Sequence, residues 1–86
     1  MSDNFLDNEE SQQFFGLIQM LQRSALVALG QMPDHEGNHS VNTAEAKAAI
    51  DIIAVLHKRT NGNLSGAEET VLQGILTELR MIFVQG

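Results

Sequence analysis

Between Ser11 and Met32 the chain carries a single formal charge, Arg23. A helix lying on a protein surface normally devotes one side to charged and polar groups, so a stretch this neutral has to bury most of its circumference. Projected at ~100° per residue, Phe14, Leu17, Ile18, Leu21, Ala25, Ala28 and Leu29 share one arc. Phe15 and Leu26 flank that arc on one side, and Met20 and Val27 flank it on the other. Only Gln12, Gly16, Gln19, Arg23 and Gly30 remain as a polar strip. The pattern predicts a helix over about 11–30 that is central in a bundle or lies at an interface.

That demand meets a short chain. With 86 residues there is room for one small domain, and a chain of this size buries only about 60% of the surface its unfolded form exposes. Small scaffolds compensate with disulfides, a metal or a partner chain. There is no cysteine, which removes disulfides and thiolate sites. Association, or a metal site built from His and carboxylates, is left as the means of stabilisation.

Charge narrows the partners. The formal net charge is −6, and the five basic residues (Arg23, Lys47, Lys58, Arg59, Arg80) form no cluster. Such a chain would repel a phosphate backbone or an anionic membrane surface, which argues against nucleic-acid and membrane partners. The segment 1–10 is acidic and reads as a flexible tail preceding a domain over 11–86, without the basic and apolar regions of an export signal. Gln12, Gln13, Gln19, Gln22, Arg23 and Ser24 interrupt the first helix too often for a membrane span. These features, with the absence of cysteine, place the expected location in the cytoplasm.

Two further helices follow a loop from Gly30 to Val41 that contains Pro33, Gly37 and Asn38. Asn42 can cap a helix over about 43–60, with Glu45 reaching back in the capping-box manner. Its buried face is Ala46, Ala49, Ile50, Ile53, Ala54 and Leu56. Asn61-Gly62 ends it. Ser65 and Glu68 repeat the capping-box spacing before a helix over about 66–84, striped with Val71, Leu72, Ile75, Leu76, Leu79, Ile82 and Phe83. The short link predicts that the second and third helices form an antiparallel hairpin.

One stretch has the form of a catalytic motif. His35-Glu36-Gly37-Asn38-His39 fits the H-E-x-x-H pattern, in which two His one helical turn apart bind zinc and the Glu acts as base. The chemistry requires a helix. Pro33 before the motif and Gly37-Asn38 inside it oppose one. A catalytic zinc also needs a third protein ligand, and the only other His, His57, belongs to the second helix. Binding of zinc or nickel through Asp34, His35, Glu36 and His39 is a weaker alternative, and a polar loop with exposed imidazoles is the simplest reading. His57 falls on the apolar arc of its helix. It reads either as a buried pH-sensitive group at an interface or, more simply, as a ring whose tip meets helix-end carbonyls or water. Phe14, Phe15, Met20, Met32 and Phe83 could line a pocket for an apolar ligand, although packing explains them more simply. Glu68, Glu69 and Glu78 read as capping and solvating carboxylates. No nucleophile–base pair or phosphate loop is present, so neither a catalytic residue nor a cofactor is assigned.

Several segments occur in a familiar order. They are Ala25-Leu26-Val27-Ala28-Leu29-Gly30-Gln31-Met32-Pro33-Asp34, Asn42-Thr43-Ala44-Glu45-Ala46-Lys47, Ile50-Asp51-Ile52-Ile53-Ala54-Val55-Leu56, Thr60-Asn61-Gly62-Asn63-Leu64-Ser65 and Leu79-Arg80-Met81-Ile82-Phe83-Val84. The set resembles a family of small bacterial proteins known as domain of unknown function 1844, over roughly Phe15 to Val84. The resemblance implies a bacterial, cytosolic, helical protein and supplies no activity or catalytic residue. It also implies that the His35/His39 pair lies outside the family pattern.

The expectation is therefore an all-α, three-helix protein, associating as a homodimer across the first helix and part of the third. Phe15, Met20, Leu26 and Val27 are the expected interface residues, because a lone bundle covers only one arc of that helix. The function expected is that of a non-catalytic interaction or regulatory module. Metal binding at His35/His39 and carriage of an apolar ligand are the alternatives.

Overall fold

The computed structural model describes residues 9–85. Three helices make up most of them: α1 (Glu9–Ala28), α2 (Thr43–Arg59) and α3 (Gly66–Gln85). No strand occurs among the described residues, and Leu29 and Val41 form one isolated antiparallel bridge. The fold is the expected all-α one. α1 begins two residues earlier than its apolar pattern indicates, with Glu9 and Glu10 in its first turn. Acidic groups there complement the helix dipole. The rest of the expected acidic tail, 1–8, lies outside the described residues.

α1 stops at Ala28 because Gly30 takes φ +77°. The Gly30 amide donates to the Val27 carbonyl at 3.0 Å and the Gln31 amide to Leu26 at 2.9 Å. Those two bonds form a Schellman ending, which needs a left-handed residue after the helix. A Cβ on Gly30 would also sit 3.1 Å from Val41 Cγ2. Gly30→Ala is therefore expected to lower the unfolding free energy by about 1–2 kcal/mol. Urea denaturation followed by circular dichroism measures it, and an unchanged midpoint would count against this ending.

The start of α2 is tied to the end of α1. Asn42 Oδ1 accepts the Glu45 amide at 3.1 Å, as the sequence predicts. The Asn42 amide, however, donates to the Ala28 carbonyl at 2.7 Å. Glu45 is not needed to reach back, so a long-range bond replaces half of the expected capping box. At the other end of α2, Thr60 closes the helix with its amide and hydroxyl on Leu56 O, and Gly62 takes φ +88°. α3 opens with the full box. Ser65 Oγ accepts the Glu68 amide at 3.2 Å, and Glu68 Oε1 accepts the Ser65 amide at 2.8 Å.

The core runs along all three helices. It comprises Phe15, Ile18, Ala25, Ala28 and Leu29, then Ala46, Ala49, Ile50 and Ile53 of α2, and Leu72, Leu76 and Leu79 of α3. α1 and α2 make the most extensive helix pair, α2 and α3 the next, and α1 and α3 the least. The buried alanines at the α1–α2 turn suit the close approach of that first pair. The radius of gyration is 13.8 Å, above the ~12 Å of a compact chain this long. The difference reflects an elongated form, with extents of 44 × 23 × 16 Å.

The buried arc of α1 differs from the expected one. It is rotated by roughly 40° toward Phe15, given ~100° per residue. Phe15 is 5% exposed and packs in the chain's own core, with its ring edge-on to Phe14. Leu26 is half-buried against the same core. Leu17, expected inside, is 44% exposed instead. The bond from Ser11 to Glu68 places α3 beside that side of α1. Of the four residues expected to face a partner, Phe15 is therefore withdrawn into the monomer. Met20, at 70% exposure, is fully presented, and Leu26 and Val27 lie between.

Candidate functional site

The His35–His39 segment is a loop, with Gly37 at φ +81°. Its turn is organised by Asp34. The Asp34 Oδ1 atom accepts the amides of Glu36 and Asn38, both at 2.9 Å, and the Asp34 amide donates to the Asn38 carbonyl at 2.9 Å. The Asn38 and Glu36 amides hold the Asp34 carboxyl below its ordinary value, because both stabilise its charged form. His39 Nδ1 donates to the Gly30 carbonyl at 3.2 Å. The imidazoles thus stand on a loop in which the Asp34 carboxylate already serves its own backbone. The helical geometry of a zinc protease is missing, and no three His, Asp or Glu side chains gather as metal ligands among the described residues.

His57 does not reach helix-end carbonyls. Its Nε2 lies 2.6 Å from Glu69 Oε1, linking α2 to α3 with both side chains about two-thirds shielded. Gln73 Nε2 donates to the same oxygen at 2.9 Å. The His57 contact, with Gln73 adding to it, holds the Glu69 carboxyl below its usual range. The capping and solvating reading of Glu69 left this partner out, because His57 lies 12 positions away on the other helix of the hairpin.

Glu68 is the buried charged residue, at 8% exposure. Besides capping α3, its Oε2 accepts the Ser11 hydroxyl, which fastens α1 to α3. The Ser11 bond first, then the Ser65 amide, hold its carboxyl below the ordinary value despite burial. Ser11 and Glu68 are 57 positions apart, so no local pattern signals the pair.

What remains is surface. Leu17 and Met20 of α1, Ile52 and Val55 of α2, and Met81 and Val84 of α3 are exposed large apolar side chains. On α1 they sit beside Gln12, Gln13, Gln19 and Ser24, with Arg23 the only charge after the acidic first turn of Glu9 and Glu10. An open groove of about 430 Å³ follows α1 past Gly16, Gln19, Met20, Arg23, Leu26 and Met32. Another of about 470 Å³ follows α3 past Gly74, Glu78, Met81 and Ile82. Both are furrows along helix faces, without convergent catalytic groups. Val71, Ile75 and Ile82, expected in the core, are only half-buried along α3. No described helix is long and apolar enough to cross a membrane.

The architecture is that of a small helical domain with a sparsely charged outer helix face and no assembled catalytic constellation among the described residues. The chain belongs to the family of the domain of unknown function DUF1844, whose model matches residues 11–85. That match spans all three helices. No curated protein and no solved structure matches the chain.

Proposed function

We propose that this domain is a non-catalytic interaction module that works as a homodimer. The observation that carries the reading is the outer side of α1. Met20 and Leu17 stand exposed there, and after the acidic first turn of Glu9 and Glu10 the helix carries Arg23 as its single charge. A surface helix that gains nothing from association would carry charges on that side. The open grooves on α1 and α3 fit a flat protein partner better than a small ligand, which is normally enclosed.

Sedimentation equilibrium of the purified chain tests the reading. A dimer is expected at micromolar concentration, and Met20→Glu is expected to shift it to monomer while helicity is kept. A wild-type chain that stays monomeric at ~100 µM, a concentration that reveals even weak association, would overturn it.

A further inference from the structure

The bond between Ser11 and Glu68 sets the first turns of α1 and α3 side by side, so these two helices run parallel. They are also the helix pair with the least mutual contact. On α3, Glu69 and its bond to His57 mark the edge toward α2. The opposite edge carries Ile75, Ile82, Glu78 and Met81, half-buried or exposed. On α1 the buried arc passes from Ala28, tied to the start of α2, to Phe15 and Leu26 on the α3 side. Gln19, Arg23 and Met20 continue it outward. The seam between α1 and α3 is therefore bordered by two uncovered, mostly uncharged strips on one face of the molecule.

Beyond the acidic first turn of α1 each strip holds one charge, and the two are opposite in sign: Arg23 on α1 and Glu78 on α3. Neither takes part in an ion pair among the described residues. Their spacing matches as well. Met20, Arg23 and Leu26 ascend α1 in steps of three, and Met81, Glu78 and Ile75 descend α3 in the same steps. A two-fold axis perpendicular to the helices reverses the partner's α3 against α1, and an isologous contact uses each pairing twice.

We propose that a second copy of this chain covers the α1–α3 face, with α1 antiparallel to α3 of the partner subunit, Arg23 opposite Glu78 of the partner subunit and Met20 opposite Met81 of the partner subunit. The same register sets Leu26 against Ile75 of the partner subunit and Val27 against Gly74 of the partner subunit. It explains why Gly74 is tolerated in mid-helix, where a Cβ would meet nothing within 4 Å beyond its chain neighbours and its own helix backbone. The four helices contributed by the two copies make a bundle across the seam that one copy leaves open. This inference rests on the homodimer reading and specifies its geometry.

Charge reversal tests it, with the dissociation constant read by sedimentation equilibrium. Arg23→Glu and Glu78→Arg each place like charges together twice per dimer and are expected to weaken association on the order of 100-fold. The double variant restores opposite charges and is expected to return to within about tenfold of wild type. Gly74→Gln, open in the monomer but opposed to Val27 of the partner subunit, is expected to weaken the dimer without loss of helicity. A dimeric wild type that is indifferent to the single reversals, or a double variant no tighter than the singles, or an unaffected Gly74→Gln dimer, overturns this register while leaving dimerisation intact. A monomeric wild type sinks both.

Discussion

Ile53→Ala is expected to cost about 2–5 kcal/mol of folding stability, the range for deleting a buried Ile side chain. Ile53 is completely shielded and lies midway along α2, the helix against which both others make their larger contacts. A cavity there removes packing from α1 and α3 together. The weak α1–α3 contact gives those two helices little to hold them in place while the gap closes. Domains of this size have total stabilities toward the lower end of ~5–15 kcal/mol, so the variant is expected to be substantially unfolded at 37 °C. Thermal and urea denaturation by circular dichroism measure the loss. Ile52→Ala is the matched control, since Ile52 is 48% exposed on the neighbouring position. In dilute monomer it should change stability by no more than ~0.5 kcal/mol. Equal effects from the two substitutions would mean that the burial pattern of α2 is wrong.

The same helix shows what the amino-acid sequence carries well. Ala46, Ala49, Ile50 and Ile53 repeat at helical spacing between an Asn cap and a Gly stop, and all four are buried as expected. Local signals agree with one another there, and only one face is apolar enough to be the inner one. α1 lacks that contrast. Its apolar residues cover so much of the circumference that the inward direction depends on where α3 lies. Phe15 consequently enters the core and Leu17 leaves it. Position along the chain cannot supply that rotation, because it is a property of the packed set of helices. The same holds for the contacts made by Glu68 and Glu69. Their places in the first turn of α3 follow from the sequence, whereas Ser11 and His57 reach them only after folding. The His35–His39 motif is the opposite case. Its spacing invites a zinc site, and Pro33, Gly37 and the Asp34-centred turn turn it into a loop.

Glu68→Ala is expected to cost about 2–3 kcal/mol, because one side chain accepts from a backbone amide and from a hydroxyl of another helix at once. It caps α3 through the Ser65 amide, worth ~1 kcal/mol in a typical helix cap. It also accepts the Ser11 hydroxyl, and a hydrogen bond to a charged acceptor is worth ~1.5–3 kcal/mol. The two are coupled through one carboxylate and do not simply add. Ser11→Ala removes only the link to α1 and should cost less than Glu68→Ala. The pH dependence identifies the charge. The folded state holds the Glu68 carboxyl below its ordinary value, so the folded chain binds its proton less readily than the unfolded chain. The stabilisation is therefore complete above the ordinary glutamate range and is lost as the pH falls through that range to the lowered value. Glu69, held down by His57, contributes in the same direction. Glu68→Gln should flatten the acid limb of the stability curve, leaving the part due to Glu69. An acid limb identical to wild type in Glu68→Gln would mean that the α1–α3 link does not depend on a charged carboxylate.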